Sequence, residues 1–219
     1  MDPEFWQQRW ARDEIGFHRS DIHPMLERHW PAIAPACDLP VLVPLCGKSR
    51  DLDWLAERGH PVVGVELSGV AVDAWFRERG LVPERTVVGG LEARCCGPVT
   101  LCIGDFFEFA PGARFPYLFD RAAMVALPPA RRDAYRAALA RLLAQDGRGL
   151  LITLEYEQSA MDGPPFSVDG TELERDPVLA YRSLEAIDAL PTHPGFRQRG
   201  LRALTERASV VRHRAAAAG

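Results

Sequence analysis

Short apolar runs alternate with amphipathic stretches along most of this chain. Residues 41–45 form a continuous apolar run, which is typical of a strand buried on both faces of a parallel sheet. An amphipathic helix at 50–58 follows, and Gly59 ends it; a strand at 61–66 and a helix at 70–79 then repeat the plan. Two strand–turn–helix units in succession predict parallel strands joined by right-handed crossovers.

The same pattern continues beyond residue 90. We predict a possible hairpin at 92–96, strands at 100–103, 117–120 and 149–155, a helix at 128–143 and a final edge strand at 209–211. The first forty residues contain no strand-like run and are rich in tryptophan, histidine and charge, which favours a helical segment. The prediction is one α/β domain over 1–219, with a helical N-terminal cap at 1–38 and a Rossmann-like core at 39–214. Its sheet is doubly wound, mostly parallel and seven-stranded.

Composition excludes several classes of function. The 219 residues are 47% hydrophobic and 26% charged, as in ordinary globular domains. A net charge of -4 offers no basic face for a phosphate backbone, so we expect no nucleic-acid partner. No apolar stretch approaches the roughly 20 residues that span a bilayer and no signal segment is evident, so we expect a cytoplasmic protein without membrane contact.

The cysteines point to a reduced, metal-free protein. There are five, an odd number, and their spacing is not that of a zinc site. A thiol role for Cys46 stays open, because it lies in the loop after the first strand. That loop also holds Lys48, the one lysine among 26 basic residues, which a bias towards arginine explains equally well.

Candidate chemistry lies just after the strands, because ligands of open α/β sheets bind at the carboxyl ends of the strands. The first loop, which includes Leu45, Gly47 and Lys48, has one glycine where a dinucleotide fingerprint needs three, and it lacks the two glycines of a Walker loop. NAD and ATP are therefore disfavoured. A single glycine suits a ligand that needs close backbone contact but carries no pyrophosphate, and S-adenosylmethionine is such a ligand.

Three more strand ends carry polar candidates, each with a structural alternative. Glu66 could accept hydrogen bonds from both ribose hydroxyls, or it could be a solvated turn residue. Asp105 could bind the adenine amino group, or it could serve turn chemistry. Arg121 follows a buried strand and could orient an acceptor in a cleft; the alternative is a salt bridge with Asp120 or Glu155.

The aromatic N-terminus also has two interpretations. Trp6 and Trp10 are spaced i, i+4, so they could attach a helix to the core. Alternatively, this segment could close over the cofactor, since a sulfonium is attracted to aromatic faces and a lid excludes water from methyl transfer.

Seven motifs, in order, resemble the thiopurine S-methyltransferase family. The resemblance covers residues 4 to about 169, and more loosely 196–201. The motifs are WQQRW at 6–10, GFH at 16–18, PLCGKS at 44–49, GHPVVGVE at 59–66, GDFF at 104–107, DRAA at 120–123 and GPPF at 163–166.

The resemblance implies a class I methyltransferase with S-adenosylmethionine as cofactor and S-adenosylhomocysteine as product. It places Trp10, Leu45, Glu66 and Arg121 at the cofactor or the adjoining site, and Phe17 near the acceptor; we add the neighbouring His18 to the acceptor site. Relatives methylate the sulfur of aromatic and heterocyclic thiols, and bacterial relatives are linked to selenium and tellurium compounds. The expected partner is thus a small-molecule acceptor, and we expect a monomer.

The predicted chemistry is an in-line displacement that needs alignment more than acid–base help. Arg121 would favour the thiolate form of the acceptor, and Asp120 would assist through water.

Two segments depart from the family pattern: residues 169–177, where an acidic helix is expected, and 208–212, in the final strand. The alternatives are a non-catalytic nucleotide or metabolite sensor on the same fold and, less favoured, an NAD-dependent oxidoreductase.

Overall fold

The computed structural model describes residues 3–16 and 18–215. Nine strands form one continuous sheet: β1 (Val41–Pro44), β2 (Val62–Glu66), β3 (Glu84–Val88), β4 (Leu91–Cys96), β5 (Val99–Ile103), β6 (Phe115–Arg121), β7 (Leu143–Glu155), β8 (Leu179–Asp188) and β9 (Thr205–His213). Seven α-helices accompany it within these described ranges: α1 (Pro3–Ala11), α2 (Pro24–Ile33), α3 (Asp51–Glu57), α4 (Gly69–Glu78), α5 (Pro129–Leu142), α6 (Gly170–Glu174) and α7 (Pro194–Gln198).

The strand order is β3-β4-β5-β2-β1-β6-β7-β9-β8. Strands β5, β2, β1, β6 and β7 are parallel neighbours, whereas β3 and β4 at one side and β9 and β8 at the other are antiparallel. The predicted α/β class and parallel core are confirmed. The predicted count of seven strands is wrong, because two antiparallel strands flank the parallel core on each side.

The parallel strands are apolar throughout because both of their faces are covered. All four residues of β1 are buried, and alternate residues point to opposite faces. Leu42 faces a core that includes Tyr135 and Leu139 of α5, whereas Val41 and Val43 face a core built with α2, α3 and α4. Helices therefore cover both faces, as the doubly wound prediction requires.

The sequence predicts that the final strand lies at the edge of the sheet, and this prediction is wrong. Strand β9 lies between β7 and β8 and pairs antiparallel with both. The edge is β8, whose side chains are mostly half-buried or exposed. It has no continuous apolar run, so its residues carry little of the pattern by which the buried strands are predicted.

The first two helices have different surroundings. Met25, Leu26 and Trp30 of α2 are buried in the core of the sheet, with Trp30 packed edge-on against Tyr117 and Phe119 of β6. Helix α1 instead carries Trp6 and Trp10, which line the cavity described below. The helical character predicted for this segment is thus present, but α2 is a helix of the core layer.

Candidate functional site

A cavity of about 670 Å³ opens at the carboxyl ends of the parallel strands. The loops after β1, β2, β5 and β6 line it, together with α1 and segments 164–165 and 192–199. This is the position at which open α/β sheets bind their ligands, and the volume suits a small organic molecule. Of the predicted site residues, the structure brings Trp10, His18, Leu45, Gly47, Glu66, Asp105 and Arg121 to this cavity.

The loop after β1 adopts a backbone conformation that favours glycine. Gly47 has a φ of 54°, and a Cβ added there would lie 3.1 Å from the Trp10 ring. The preceding Leu45 is also left-handed, with a φ of 46°, which is uncommon for a leucine. The backbone thus approaches the Trp10 ring closely, and the loop presents its surface to the cavity.

Glu66 holds this loop in place from the end of β2. Its carboxylate accepts hydrogen bonds from the backbone N–H groups of Gly47 at 2.8 Å and Ser68 at 2.9 Å. Burial raises the pKa of Glu66 above its ordinary value, although these N–H groups oppose that rise by stabilising the charged form. Because each carboxylate oxygen has further lone pairs and the residue lines the cavity, Glu66 can also accept bonds from a ligand.

Asp105 serves turn chemistry and also reaches the cavity. Its Oδ1 accepts a hydrogen bond from the backbone N–H of Phe107 at 3.0 Å and caps the short 3-10 helix Phe106–Glu108. The residue lines the cavity beside Gly104 and Phe107. The turn role and a ligand role for Asp105 are therefore compatible.

Arg121 is half-buried and presents its guanidinium to the cavity. Desolvation lowers its pKa, while the carboxylates of Asp51 and Glu206 favour its charged form. Its guanidinium makes no hydrogen bond or ion pair with any residue in the described ranges 3–16 and 18–215. The alternative partners are engaged elsewhere, since Glu155 pairs with Arg207 and Asp120 binds Tyr135. A half-buried guanidinium that has no partner among the described residues is available to a ligand.

Asp120 does not reach the cavity, so the predicted assistance through water has no support in its position. Its carboxylate is fully buried and accepts hydrogen bonds from the Tyr135 hydroxyl at 2.8 Å and the Met124 N–H at 3.2 Å. Successive residues of a strand point to opposite faces, so Asp120 points away from the side chain of Arg121. Asp120 fixes the backbone after β6 by binding Met124, which makes it a positioning residue.

Because of Asp120, the free energy of unfolding should decrease as the pH rises through the acid range. Burial raises its pKa from 3.8 to about 6, so the folded form retains a proton that the unfolded chain has lost. The resulting stability is complete below about pH 4 and decreases by about 3 kcal/mol as the pH passes 6. The Asp120→Asn variant lacks this titration. The unfolding free energy of the wild type, relative to this variant, should fall by about 2 kcal/mol between about pH 4.5 and pH 7.5.

Urea denaturation at the two pH values measures this difference, and other titrating groups cancel in the comparison. A Tyr135→Phe variant is a second test, because the hydroxyl stabilises mainly the ionised carboxylate. Its deficit in stability should be larger at the higher pH. A difference that does not change with pH in either variant would contradict the raised pKa of Asp120.

Besides Arg121, two adjacent residues, Phe17 and His18, are predicted for the acceptor site, and the structure describes His18. His18 is half-buried at the cavity, and burial, followed by the charges of Lys48 and Arg121, lowers its pKa. Phe17 lies outside the described residues. Lys48 forms an ion pair with Glu78 at 2.6 Å, at the same side of the cavity.

Some residues at the cavity were missed by sequence reasoning. Asp51 at the start of α3 and Glu206 on β9 both line it, as does His193 before α7. The sequence holds one signal for Glu206. It lies two residues before Ala208, a core residue, so both side chains point to the same, inward face of the strand, and a charged residue on an inward face indicates a function or a partner.

The thiol of Cys46 is buried, which raises its pKa well above the ordinary value and disfavours the nucleophilic thiolate.

Among residues 3–16 and 18–215, no cluster of three or more histidine, cysteine or acidic side chains is arranged to hold a metal ion. None of the described helices has the length and apolar character needed to cross a membrane.

Comparison with known proteins gives one consistent family. The family model described as thiopurine S-methyltransferase matches residues 1–214. The thiopurine S-methyltransferase of Pseudomonas fluorescens (strain Pf0-1) is 47% identical over 216 residues, which is 97% of this chain and 99% of the relative. That of Methylococcus capsulatus is 42% identical and covers 99% of this chain and 100% of the relative.

Solved structures agree on the fold. A TehB-like SAM-dependent methyltransferase from Corynebacterium glutamicum superposes with a TM-score of 0.57 at 19% identity, covering 97% of this chain and 98% of the other. The 1,6-didemethyltoxoflavin-N1-methyltransferase of Burkholderia thailandensis, solved with S-adenosylhomocysteine bound, gives a TM-score of 0.62 at 16% identity and covers 96% of this chain and 87% of the other. At such identities the likeness concerns the fold alone.

Proposed function

The chain belongs to the thiopurine S-methyltransferase family, and on that premise we propose which of its residues bind the cofactor and which bind the acceptor. Its reaction is the S-adenosylmethionine-dependent methylation of the sulfur of a thiopurine. One cavity is lined by both Glu66 and Arg121, and this observation carries the proposal. Glu66 suits the ribose of the cofactor and Arg121 suits an electron-rich acceptor, so the cofactor and the acceptor can bind side by side in the same cavity.

The cofactor half of the cavity comprises Trp10, Leu45, Gly47, Glu66 and Asp105. The residues fit the cofactor, because the left-handed backbone at Gly47 brings a Cβ position to 3.1 Å from the Trp10 ring and so favours glycine, and because Glu66 has lone pairs left for two ribose hydroxyls. Asp105, which lines the same cavity, is proposed to accept a hydrogen bond from the adenine amino group. When bound, S-adenosylmethionine supplies a methyl group on a positively charged sulfur, which the acceptor sulfur takes up in one displacement.

The acceptor half comprises Arg121 and His18, and we include Phe17 from its place in the motif. The positive charge of Arg121 favours the thiolate form of an acceptor thiol, and the guanidinium can also adjoin the cofactor. Lowering of the pKa of His18 keeps its imidazole neutral near pH 7, so it can donate or accept a hydrogen bond without repelling a cationic cofactor. These groups align and desolvate the acceptor sulfur.

The N-terminal segment is proposed to cover the cofactor. Trp6 and Trp10 of α1 line the cavity, and Arg9 lies beside them. Their faces can attract a sulfonium, and their bulk excludes water. Within the cap proposed for residues 1–38, α1 supplies the covering surface, whereas α2 packs on the core at 39–214.

We further propose a monomer in the cytoplasm that acts on small molecules and has no nucleic-acid or membrane partner. All five cysteines are free thiols, which suits a reducing compartment. Selenium and tellurium compounds are proposed as additional acceptors, since their chemistry resembles that of sulfur.

Calorimetric titration with S-adenosylhomocysteine, followed by methyl transfer to 6-mercaptopurine, aromatic thiols and selenite, tests the proposal. We expect saturable binding of one molecule per chain and turnover of 6-mercaptopurine. Binding without turnover of any acceptor would favour the alternative of a non-catalytic sensor. Absence of binding would contradict the roles given to Glu66 and to the loop at Gly47.

A further inference from the structure

His23 joins three segments beneath the acceptor half of the cavity. Its backbone N–H donates a hydrogen bond to Oδ1 of Asp51 at 2.8 Å, and its ring Nε2 lies 3.0 Å from Oε1 of Glu206. Its ring Nδ1 accepts a bond from the backbone N–H of Met25 at 3.2 Å and so caps α2. His23 is 1% exposed, whereas Asp51 and Glu206 both line the cavity.

The cap determines the tautomer of His23. Because Nδ1 accepts the bond from Met25, it carries no proton, and the proton of the neutral ring lies on Nε2. Nε2–H therefore donates to Oε1 of Glu206. This leaves Oε2 of Glu206 without a partner among the residues that the structure describes, although it belongs to a side chain that lines the cavity.

The strand register places Glu206 on the same face of the sheet as Arg121. Arg121 of β6 pairs with Ile152 of β7, and Glu206 of β9 pairs with Leu154, two residues further along β7. Residues in register, and residues two apart along a strand, share a face. Their Cα atoms are roughly 12 Å apart on the strand spacings, and both side chains line the cavity from separate positions on this face.

The charge of Glu206 is maintained in this position. Burial raises its pKa, but the hydrogen bond from His23 opposes burial, and the pKa of Glu206 lies below the ordinary value. The carboxylate is also among the groups that favour the charged form of Arg121. A guanidinium and a carboxylate therefore face the acceptor space from two strands, one as a donor and the other as an acceptor of hydrogen bonds.

We propose that Glu206, oriented by the neutral imidazole of His23, is a specificity-determining residue that accepts a hydrogen bond from a ring N–H of a heterocyclic thiol. The inference rests on the proposed function, because it assumes that the acceptor enters beside Arg121. A site built to bind a ring N–H discriminates strongly against analogues that lack it, since its own polar group is then left unpaired. An anionic aromatic acceptor is disfavoured by the same carboxylate.

The Glu206→Gln variant tests this inference sharply. His23 presents a donor, so the carbonyl oxygen of the new amide must face it, and the amide NH2 is directed to the cavity. An acceptor of hydrogen bonds is thereby replaced by a donor. For 6-mercaptopurine, which has ring N–H groups, KM should rise about 10-fold or more. For thiophenol, which has none, kcat and KM should change less than about twofold, and the kcat/KM for 2-mercaptobenzoate should rise.

Glu185→Gln is a matched control, because Glu185 binds His29 Nε2 at 2.7 Å on neighbouring β8 but does not line the cavity. Calorimetry with S-adenosylhomocysteine establishes that each variant is folded, and Glu206→Ala provides a second variant. Equal effects of Glu206→Gln on 6-mercaptopurine and thiophenol, or no effect on either, would overturn the inference. If the wild type turns over neither thiol, the proposed function fails and the inference fails with it.

Discussion

Replacing Glu66 by glutamine should weaken the binding of S-adenosylhomocysteine about 100-fold, or by about 3 kcal/mol. The carboxylate accepts bonds from Gly47 N–H and Ser68 N–H on its two oxygens. Glutamine has one acceptor oxygen, so one of these N–H groups would face an amide NH2. The ribose hydroxyls would lose a charged acceptor, and the loop at Gly47 would lose its anchor. Isothermal titration calorimetry measures the affinity directly.

Glu84→Gln is the matched control for this variant. Glu84 lies exposed on β3, far along the sheet order from β1 and β6, and does not line the cavity. Its affinity for S-adenosylhomocysteine should equal that of the wild type. An unchanged affinity in the Glu66 variant would contradict the ribose role of that residue and leave the loop contact as its only function.

Replacing Arg121 by methionine should lower kcat/KM for a heterocyclic thiol about 100-fold while leaving the protein equally stable or slightly more stable. The guanidinium is half-buried and has no partner in the described part of the chain, so its partial desolvation is poorly compensated without a ligand. Methionine fills a similar volume with apolar atoms. The loss of activity follows because the acceptor loses the charge that favours its thiolate form.

Steady-state kinetics and thermal unfolding of the same preparation separate the two effects. Activity should fall while the Tm stays the same or rises by a few degrees, which is the pattern of a site residue that is costly to fold. Arg148→Met on β7 is a suitable control, because Arg148 is exposed and distant from the carboxyl end of the strand. If full turnover of an anionic aromatic thiol survives in Arg121→Met, the role of Arg121 is wrong.

The buried strands could be predicted from the sequence because burial on both faces demands continuous apolar runs. Strand β1 and strand β2 lie within a residue or two of their predicted bounds. The outer strands β3 and β8 could not be predicted in this way, because their exposed and half-exposed positions mix polar and apolar residues and form no continuous apolar run. The interior position of β9 depends on tertiary pairing, which local pattern does not encode.

The site residues that come directly after the parallel strands could be predicted from the sequence. Leu45, Gly47, Glu66, Asp105 and Arg121 all line the cavity, as the topology of α/β sheets requires. The alternation of side chains along a strand could also have predicted that only one of the neighbours Asp120 and Arg121 faces the cavity, since adjacent residues point to opposite faces.

Other parts of the site are assembled from distant segments. Glu206 and His23 meet across 183 positions of sequence, and their contact depends on the insertion of β9 into the sheet. Only the folded chain places the two residues together.

The placement of β9 between β7 and β8 also has a consequence for the order of events during synthesis on the ribosome. Strands β1 and β2 form local units with their crossover helix, so the side of the cavity that holds Glu66 can assemble while translation continues. Strand β7 has 13 residues, and part of its edge stays unpaired until β9 emerges. A nascent chain therefore passes through an interval in which it exposes a long apolar edge that other chains can pair with. Chaperone dependence should be concentrated in that interval.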